Sequence, residues 1–167
     1  RNWQDRGQTF PSRRSYRNYL QALSCYDEAL QRAGDDLVVQ NNKAYGLVSI
    51  AESEAELSRH QSAIEKCTQA VTLYDEILRR APEDIVVLSN KGRALRRAGR
   101  CLASLSRREE ALEHYSQALA SCDEALRQAP ADLWALNSKG LVLLSLGGLH
   151  AQAEEHTAAS ESYAQGL

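Results

Sequence analysis

The chain has 167 residues, a quarter of them charged, and a formal net charge of −2. This balance gives no sign of a nucleic-acid or membrane partner, and no apolar run approaches the ~20 residues of a membrane span. The four cysteines are far apart and form no CxxC pair, so we expect no metal site and a reducing, cytoplasmic environment.

In chain order, the first marked segment is Tyr26-Asp27-Glu28-Ala29-Leu30. It recurs at steps of 48 residues as Tyr74-Asp75-Glu76-Ile77-Leu78 and as Cys122-Asp123-Glu124-Ala125-Leu126. A turn signal follows each copy at the same step, in residues 33–37, 81–85 and 129–133. Separate markers that hold one spacing indicate an internal structural repeat.

Each repeat unit is expected to hold two helices. The first helix opens after the turn, where an acidic residue suits a helix N-terminus. In the middle unit it carries one apolar stripe that ends before Ser106-Arg107-Arg108. In the second helix, alanine recurs every seven residues with leucine beside it, which suits close helix packing. We therefore predict an all-α chain of antiparallel helix hairpins.

The repeat divides the chain into five segments. Residues 1–14 are an N-terminal arm or the end of a preceding helix, and residues 15–33 are a lone second helix. Repeats follow at 34–81 and 82–129, and a truncated repeat occupies 130–167, with its second helix from Thr157. This gives seven helical segments. We expect Leu47, Leu95 and Leu143 to occupy equivalent surroundings, and we expect both ends to lack polar caps.

The pattern resembles the tetratricopeptide repeat. The resemblance rests on Gly92 and Leu95 in the first helix, and in the second on Ala111-Leu112, Tyr115, Ala118-Leu119 and the closing Pro130. The family repeat has about 34 residues, and the longer unit here is explained by one extra heptad in each helix. Lys43, Lys91 and Lys139 depart from the family pattern, and so does Ala44 in place of a glycine.

The resemblance implies an α-solenoid whose first helices line a concave peptide-binding groove. It also implies a place within a large multidomain bacterial protein. First-helix residues that packing does not require are then the candidate ligand contacts: Asn41, Asn42, Tyr45, Asn90, Arg93, Arg96, Arg97 and Asn137.

The asparagines and arginines of this set each have more than one interpretation. Asn42 and Asn90 are one repeat apart and can grip a peptide main chain, as in some family members, or they are solvated. The arginine run from Arg93 suits an acidic peptide or a carboxylate. It is also consistent with a solvated face, or with pairing to the acidic residues of the neighbouring first helix, Glu52, Glu54 and Glu56.

The sequence contains no HExxH, GxGxxG, GxxxxGK or GxSxG motif. We therefore expect no enzyme activity, no cofactor and no metal, and instead a protein or peptide partner, acidic if the arginines bind it. The alternatives are a structural spacer that self-associates through its ends, and the sensor region of a switch ATPase. Neither a membrane nor a nucleic acid is expected as a partner.

Overall fold

The computed structural model describes the backbone of residues 13–165 and the side chains of residues 15–154. Within that range the chain is all-α. Its six helices are α1 (Arg13–Ala33), α2 (Leu37–Glu56), α3 (His60–Arg80), α4 (Ile85–Ser104), α5 (Arg108–Gln128) and α6 (Leu133–Gln165). None of the described helices combines the length and the apolar character needed to cross a membrane. The predicted arm lies almost wholly outside the described residues.

The helices pack in chain order. Each helix contacts the next one, and contacts also join α2 to α4 and α4 to α6. No such contacts join α1, α3 and α5 to one another within the described range. The even-numbered helices therefore form an inner layer and the odd-numbered helices an outer layer. This arrangement is compatible with a helical repeat, and it agrees with the all-α prediction.

The three inner helices begin in the same way. Asp36, Asp84 and Asp132 stand 48 residues apart, and each lies directly before an inner helix. The Asp36 carboxylate accepts from the backbone N–H of Val38 and Val39, and Asp84 and Asp132 each accept from the N–H three residues ahead. These caps satisfy N–H groups that have no partner inside the helix. The predicted acidic helix start is confirmed at all three positions.

The turns that end α2 and α4 depend on one serine each. Ser58 and Ser106 both adopt φ of +59°, the left-handed conformation that lets the chain reverse into the next helix. The equivalent position in the third unit is Glu154, in an Ala-Glu-Glu sequence of good helix formers. There α6 continues unbroken to Gln165. The prediction of a seventh helical segment from Thr157 is therefore wrong.

Close packing between α4 and α5 uses glycine. A Cβ placed at Gly99 would lie 2.7 Å from the Tyr115 ring, and one at Gly92 would lie 2.8 Å from the Cys122 sulfur. Early residues of α4 thus face late residues of α5, so the two helices are antiparallel. The predicted alanine stripe of α5 is confirmed, since Ala111, Ala118 and Ala125 are fully buried.

The equivalence of the repeats fails at the last inner helix. Leu47 and Leu95 are 4% and 2% exposed, but Leu143 is 51% exposed. Leu95 packs in a core cluster with residues of α5 and α6, such as Tyr115 and Val142. No described helix occupies the corresponding place beside Leu143. The expectation of equal surroundings holds for two of the three leucines and is wrong for Leu143.

An ion pair of fixed register links each inner helix to the outer helix before it. Lys43 binds Asp27, Lys91 binds Asp75 and Lys139 binds Asp123, each with 2.6 Å between Nζ and Oδ1. These are the lysines that depart from the family pattern at this position. Their register explains the departure, because each lysine reaches the Asp that precedes it by sixteen residues on the neighbouring helix.

Candidate functional site

Charge is divided unevenly between the paired helices α4 and α5. Helix α4 carries five cationic side chains and no carboxylate, whereas its outer partner α5 carries two arginines against five carboxylates. The small net charge of the chain conceals this separation. Helix α4 is therefore strongly cationic, whereas its inner-layer neighbour α2 carries one lysine and three carboxylates. Anionic groups are the ligands that α4 attracts.

A cluster of three charged residues and one aromatic ring joins α2 to α4. Glu52 Oε1 accepts from Arg93 at 2.9 Å and from Arg97 at 2.5 Å. The Arg93 guanidinium also lies 4.9 Å from the centre of the Tyr45 ring, within cation–π range. Among the interpretations of the arginine run, pairing with the neighbouring helix is thus realised for these two arginines.

The electrostatics of this cluster favour its ionised state. Burial alone would raise the pKa of Glu52, but the charges of Arg97 and Arg93 outweigh burial and hold that pKa below its ordinary value. All three side chains are between 18% and 27% exposed, so solvent still reaches them. One carboxylate is shared by two guanidinium groups, which leaves the cluster with a net positive charge.

Arg96 and Arg100 extend the positive surface towards the end of α4. Arg96 is 8% exposed, and burial is the main cause of its lowered pKa, followed by repulsion from Arg97 and Arg100. Arg100 is exposed and shares a surface pocket of about 190 Å³ with Arg97. His60, Ser104 and Glu56 also line this pocket. The Nε atom of Arg97 is buried and has no hydrogen-bond partner among the described residues.

The predicted asparagines do not form a uniform row. Asn90 is buried, and its amide Nδ2 donates to Asn41 Oδ1 at 3.4 Å, so these two asparagines form a pair across α2 and α4. Asn42 and Asn137 are exposed on the surface of their helices. Asn42 and Asn90 occupy equivalent sequence positions, yet only Asn42 offers a free amide face to solvent.

Tyr45, a predicted ligand contact on α2, has an aromatic counterpart in Trp134 on α6. Both remain largely accessible, at 46% and 51% exposure. Tyr45 stands beside the arginine cluster through its contact with Arg93. The structure therefore brings together Tyr45, Arg93 and Arg97, places Asn41 and Asn90 in a separate pair, and leaves Asn42 and Asn137 apart from both.

Sequence reasoning left out two residues of this surface. Arg100 was part of the recognised arginine run but not of the candidate set, although it stands one helical turn after Arg96 and Arg97. His60 begins α3 and reaches the same pocket. No sequence pattern marks His60, because its place depends on the turn at Ser58.

The described part of the chain holds no metal-binding cluster and one exposed thiol. No three His, Cys, Asp or Glu side chains cluster there in a way that would hold a metal ion. Cys67, Cys101 and Cys122 are buried and Cys25 is exposed. In comparisons with known proteins, the sequence matches no protein-family model and no curated protein.

Proposed function

We propose that this chain is a tetratricopeptide-like α-solenoid module that binds an acidic peptide or protein segment along its inner layer. The order of helix contacts and the small residues between paired helices support the solenoid. The accessible polar and aromatic side chains of α2 and α4 support the binding surface. No chemical step is involved, since affinity comes from surface contacts alone.

The observation that carries the proposal is the imbalance at Glu52. Two arginines share this one carboxylate, and the exposed Arg100 follows Arg97 by one turn of α4. A carboxylate of a partner can therefore join the cluster without leaving any buried acid unpaired. Arginine presents a planar set of donors that matches a carboxylate in two-point contact.

The arrangement suggests separate roles for the surrounding residues. The pocket between Arg97 and Arg100 receives an acidic side chain or a C-terminal carboxylate. Tyr45 provides an aromatic contact next to it, and the exposed Asn42 amide can donate to and accept from a peptide backbone. Asn90 and Arg96 act indirectly, because their burial removes them from a partner's reach. Asn41 is half-buried and is paired with Asn90.

The test compares variants that share one neutral substitution. Glu52→Gln removes the internal competitor of both arginines, so it should tighten binding of a fluorescent oligo-glutamate peptide severalfold. Adding Arg93→Gln and Arg97→Gln to that variant should weaken binding about tenfold relative to Glu52→Gln, equivalent to ~1.4 kcal/mol. Fluorescence anisotropy at low and at physiological salt measures both changes, and the weaker binding at higher salt is itself expected.

A matched control removes the same charge from the outer layer. Arg79 and Arg127 are exposed on α3 and α5, so Glu52→Gln with Arg79→Gln and Arg127→Gln has the same net charge as the inner variant. This control should bind like Glu52→Gln. Equal losses in the two triple variants, or equal binding of oligo-glutamate and oligo-lysine, would refute an acidic partner on the inner layer.

A further inference from the structure

Two glycines of α6 are equivalent to two glycines of α4 that pack against a tyrosine and a cysteine of α5. Gly92 and Gly99 of α4 receive Cys122 and Tyr115 of α5 in close contact. Their equivalents, 48 residues on, are Gly140 and Gly147 of α6. At both, an added Cβ would meet no described atom within 4 Å. The α6 helix thus presents one side of a helix-pair contact, and no described residue occupies the other side.

The larger apolar side chains around these glycines are also exposed to solvent. Leu136 and Leu143 are 46% and 51% exposed, while their equivalents in α4, Leu88 and Leu95, are 6% and 2% exposed. Leu144 is 73% exposed. In α4 these positions are covered by an outer helix and by the next inner helix. The internal repeat therefore specifies what covers such a face, namely an outer helix of the α5 type followed by an inner helix.

Helix α1 carries the side chains that would complete the other side of this contact, and these side chains are exposed. By the repeat, Tyr19 is equivalent to Tyr115 and Cys25 is equivalent to Ser121. Tyr115 and Ser121 are 1% and 7% exposed between α4 and α5, whereas Tyr19 is 36% exposed and Cys25 is exposed. Helix α1 is followed by the inner helix α2, in the order that the face of α6 requires.

We propose that copies of this chain stack head to tail, with α1 and α2 of one copy covering the open face of α6 of another. Tyr19 then lies over Gly147 as Tyr115 lies over Gly99, and Tyr26 and Cys25 lie beside Gly140 as Cys122 and Ser121 lie beside Gly92. The two halves sit on opposite ends of the chain, so the contact does not close on itself. Such a contact generates open chains of copies rather than a closed dimer.

This inference is independent of peptide binding, since it uses other residues and another surface. A second copy is the occupant that the structure supports, because the same chain carries both complementary halves in matching register. The other occupants are an outer-type helix from a longer form of the chain and an unrelated protein. Both would leave this chain monomeric when it is alone in solution.

The first experiment traps the contact with a disulfide. A Cβ at Gly92 would lie 3.9 Å from Ser121 Cβ, within the Cβ separation of disulfides. The stacked arrangement places Gly140 and Cys25 at the same separation, so Gly140→Cys should form a disulfide-linked ladder on oxidation. Gly148→Cys is the matched control, since it adds one cysteine where a Cβ also meets nothing described. It should give no ladder, and neither should Gly140→Cys combined with Cys25→Ser.

The second experiment measures assembly without a covalent bond. In analytical ultracentrifugation the mass of the unmodified chain should rise with concentration past the dimer. Gly147→Glu disrupts the surface of α6, and Tyr19→Glu disrupts the surface of α1. Each variant should therefore be monomeric with an unchanged helical CD spectrum. In a mixture, the intact α1 of Gly147→Glu can still cover the intact α6 of Tyr19→Glu. Because the remaining surface of each copy is disrupted, assembly should stop at a dimer. A chain that stays monomeric at every concentration, or ladders of equal strength in the two cysteine variants, would overturn the proposal.

Discussion

Gly99 and Gly147 form a natural pair for testing the packing argument. They occupy equivalent positions in α4 and α6, but only Gly99 faces a neighbouring side chain, the buried Tyr115. We therefore compare Gly99→Ala with Gly147→Ala. Both changes remove a helix-interior glycine, so the effect on helix propensity is the same, and the difference between them reports on packing alone.

The magnitudes follow from two opposing contributions. Replacing glycine by alanine in a helix stabilises it by about 1 kcal/mol. At Gly99 the new Cβ would lie 2.7 Å from one Tyr115 ring atom and 2.9 Å from another, and such overpacking costs about 1–3 kcal/mol. Gly147→Ala should therefore stabilise the chain, and Gly99→Ala should be less stable than Gly147→Ala by about 1–3 kcal/mol.

The assay is urea unfolding followed by circular dichroism, with the midpoint and slope compared for each variant. A second substitution sharpens the test, since the preceding repeat has Ala51 and Cys67 at the two equivalent positions. Tyr115→Cys should destabilise the chain through loss of the ring. Combined with Gly99→Ala it should cost less than the sum of the two single changes. Equal shifts for Gly99→Ala and Gly147→Ala would show that Tyr115 does not limit the approach of these helices.

Three more predictions concern single groups. Because the folded pKa of Glu52 lies below its ordinary 4.5, its stabilisation is complete above that pH and is lost as pH falls through the lowered pKa. The urea midpoint of Glu52→Gln should therefore fall less between neutral pH and about pH 3 than that of the unmodified chain. Burial raises the pKa of Cys67 to about 12 and of Cys122 to about 11. A thiol reagent at mildly alkaline pH should modify Cys25 alone in the native chain and all four cysteines after unfolding. Lys91→Met should lower stability by up to about 1 kcal/mol, since Asp75 is half exposed, and a larger loss would mean that this pair is more shielded from solvent than its exposure indicates.

The internal repeat predicted most of the fold because the same local interactions recur in successive units. The capping aspartates, the small residues between helices and the alanine stripe each recur in sequence and again in space. The repeat could not show that the predicted seventh helical segment, from Thr157, is absent. Its absence depends on one backbone conformation, available to Ser58 and Ser106 in the first two turns and not adopted at Glu154 in the third.

The candidate site was only partly accessible to sequence reasoning. Spacing placed Arg93 and Arg97 on one face of a helix, and charge complementarity named Glu52 as a partner. Sequence could not choose between that partner and an external one, because the choice depends on the distance between α2 and α4. Nor could it separate Asn42 from Asn90, since their different burial arises from the neighbouring helix and not from their own segments.

The lysine–aspartate pairs have a consequence for how the chain unfolds. Each pair crosses from one unit to the preceding one, so a hairpin excised on its own, such as residues 34–81, loses the partner of Lys43 at one side and that of Asp75 at the other. Favourable energy is thereby placed at the boundaries between neighbouring units as well as inside each unit. Linear arrays with strong boundary coupling melt as a cooperative whole. Shortening this chain by one hairpin should therefore lower its cooperativity as well as its stability.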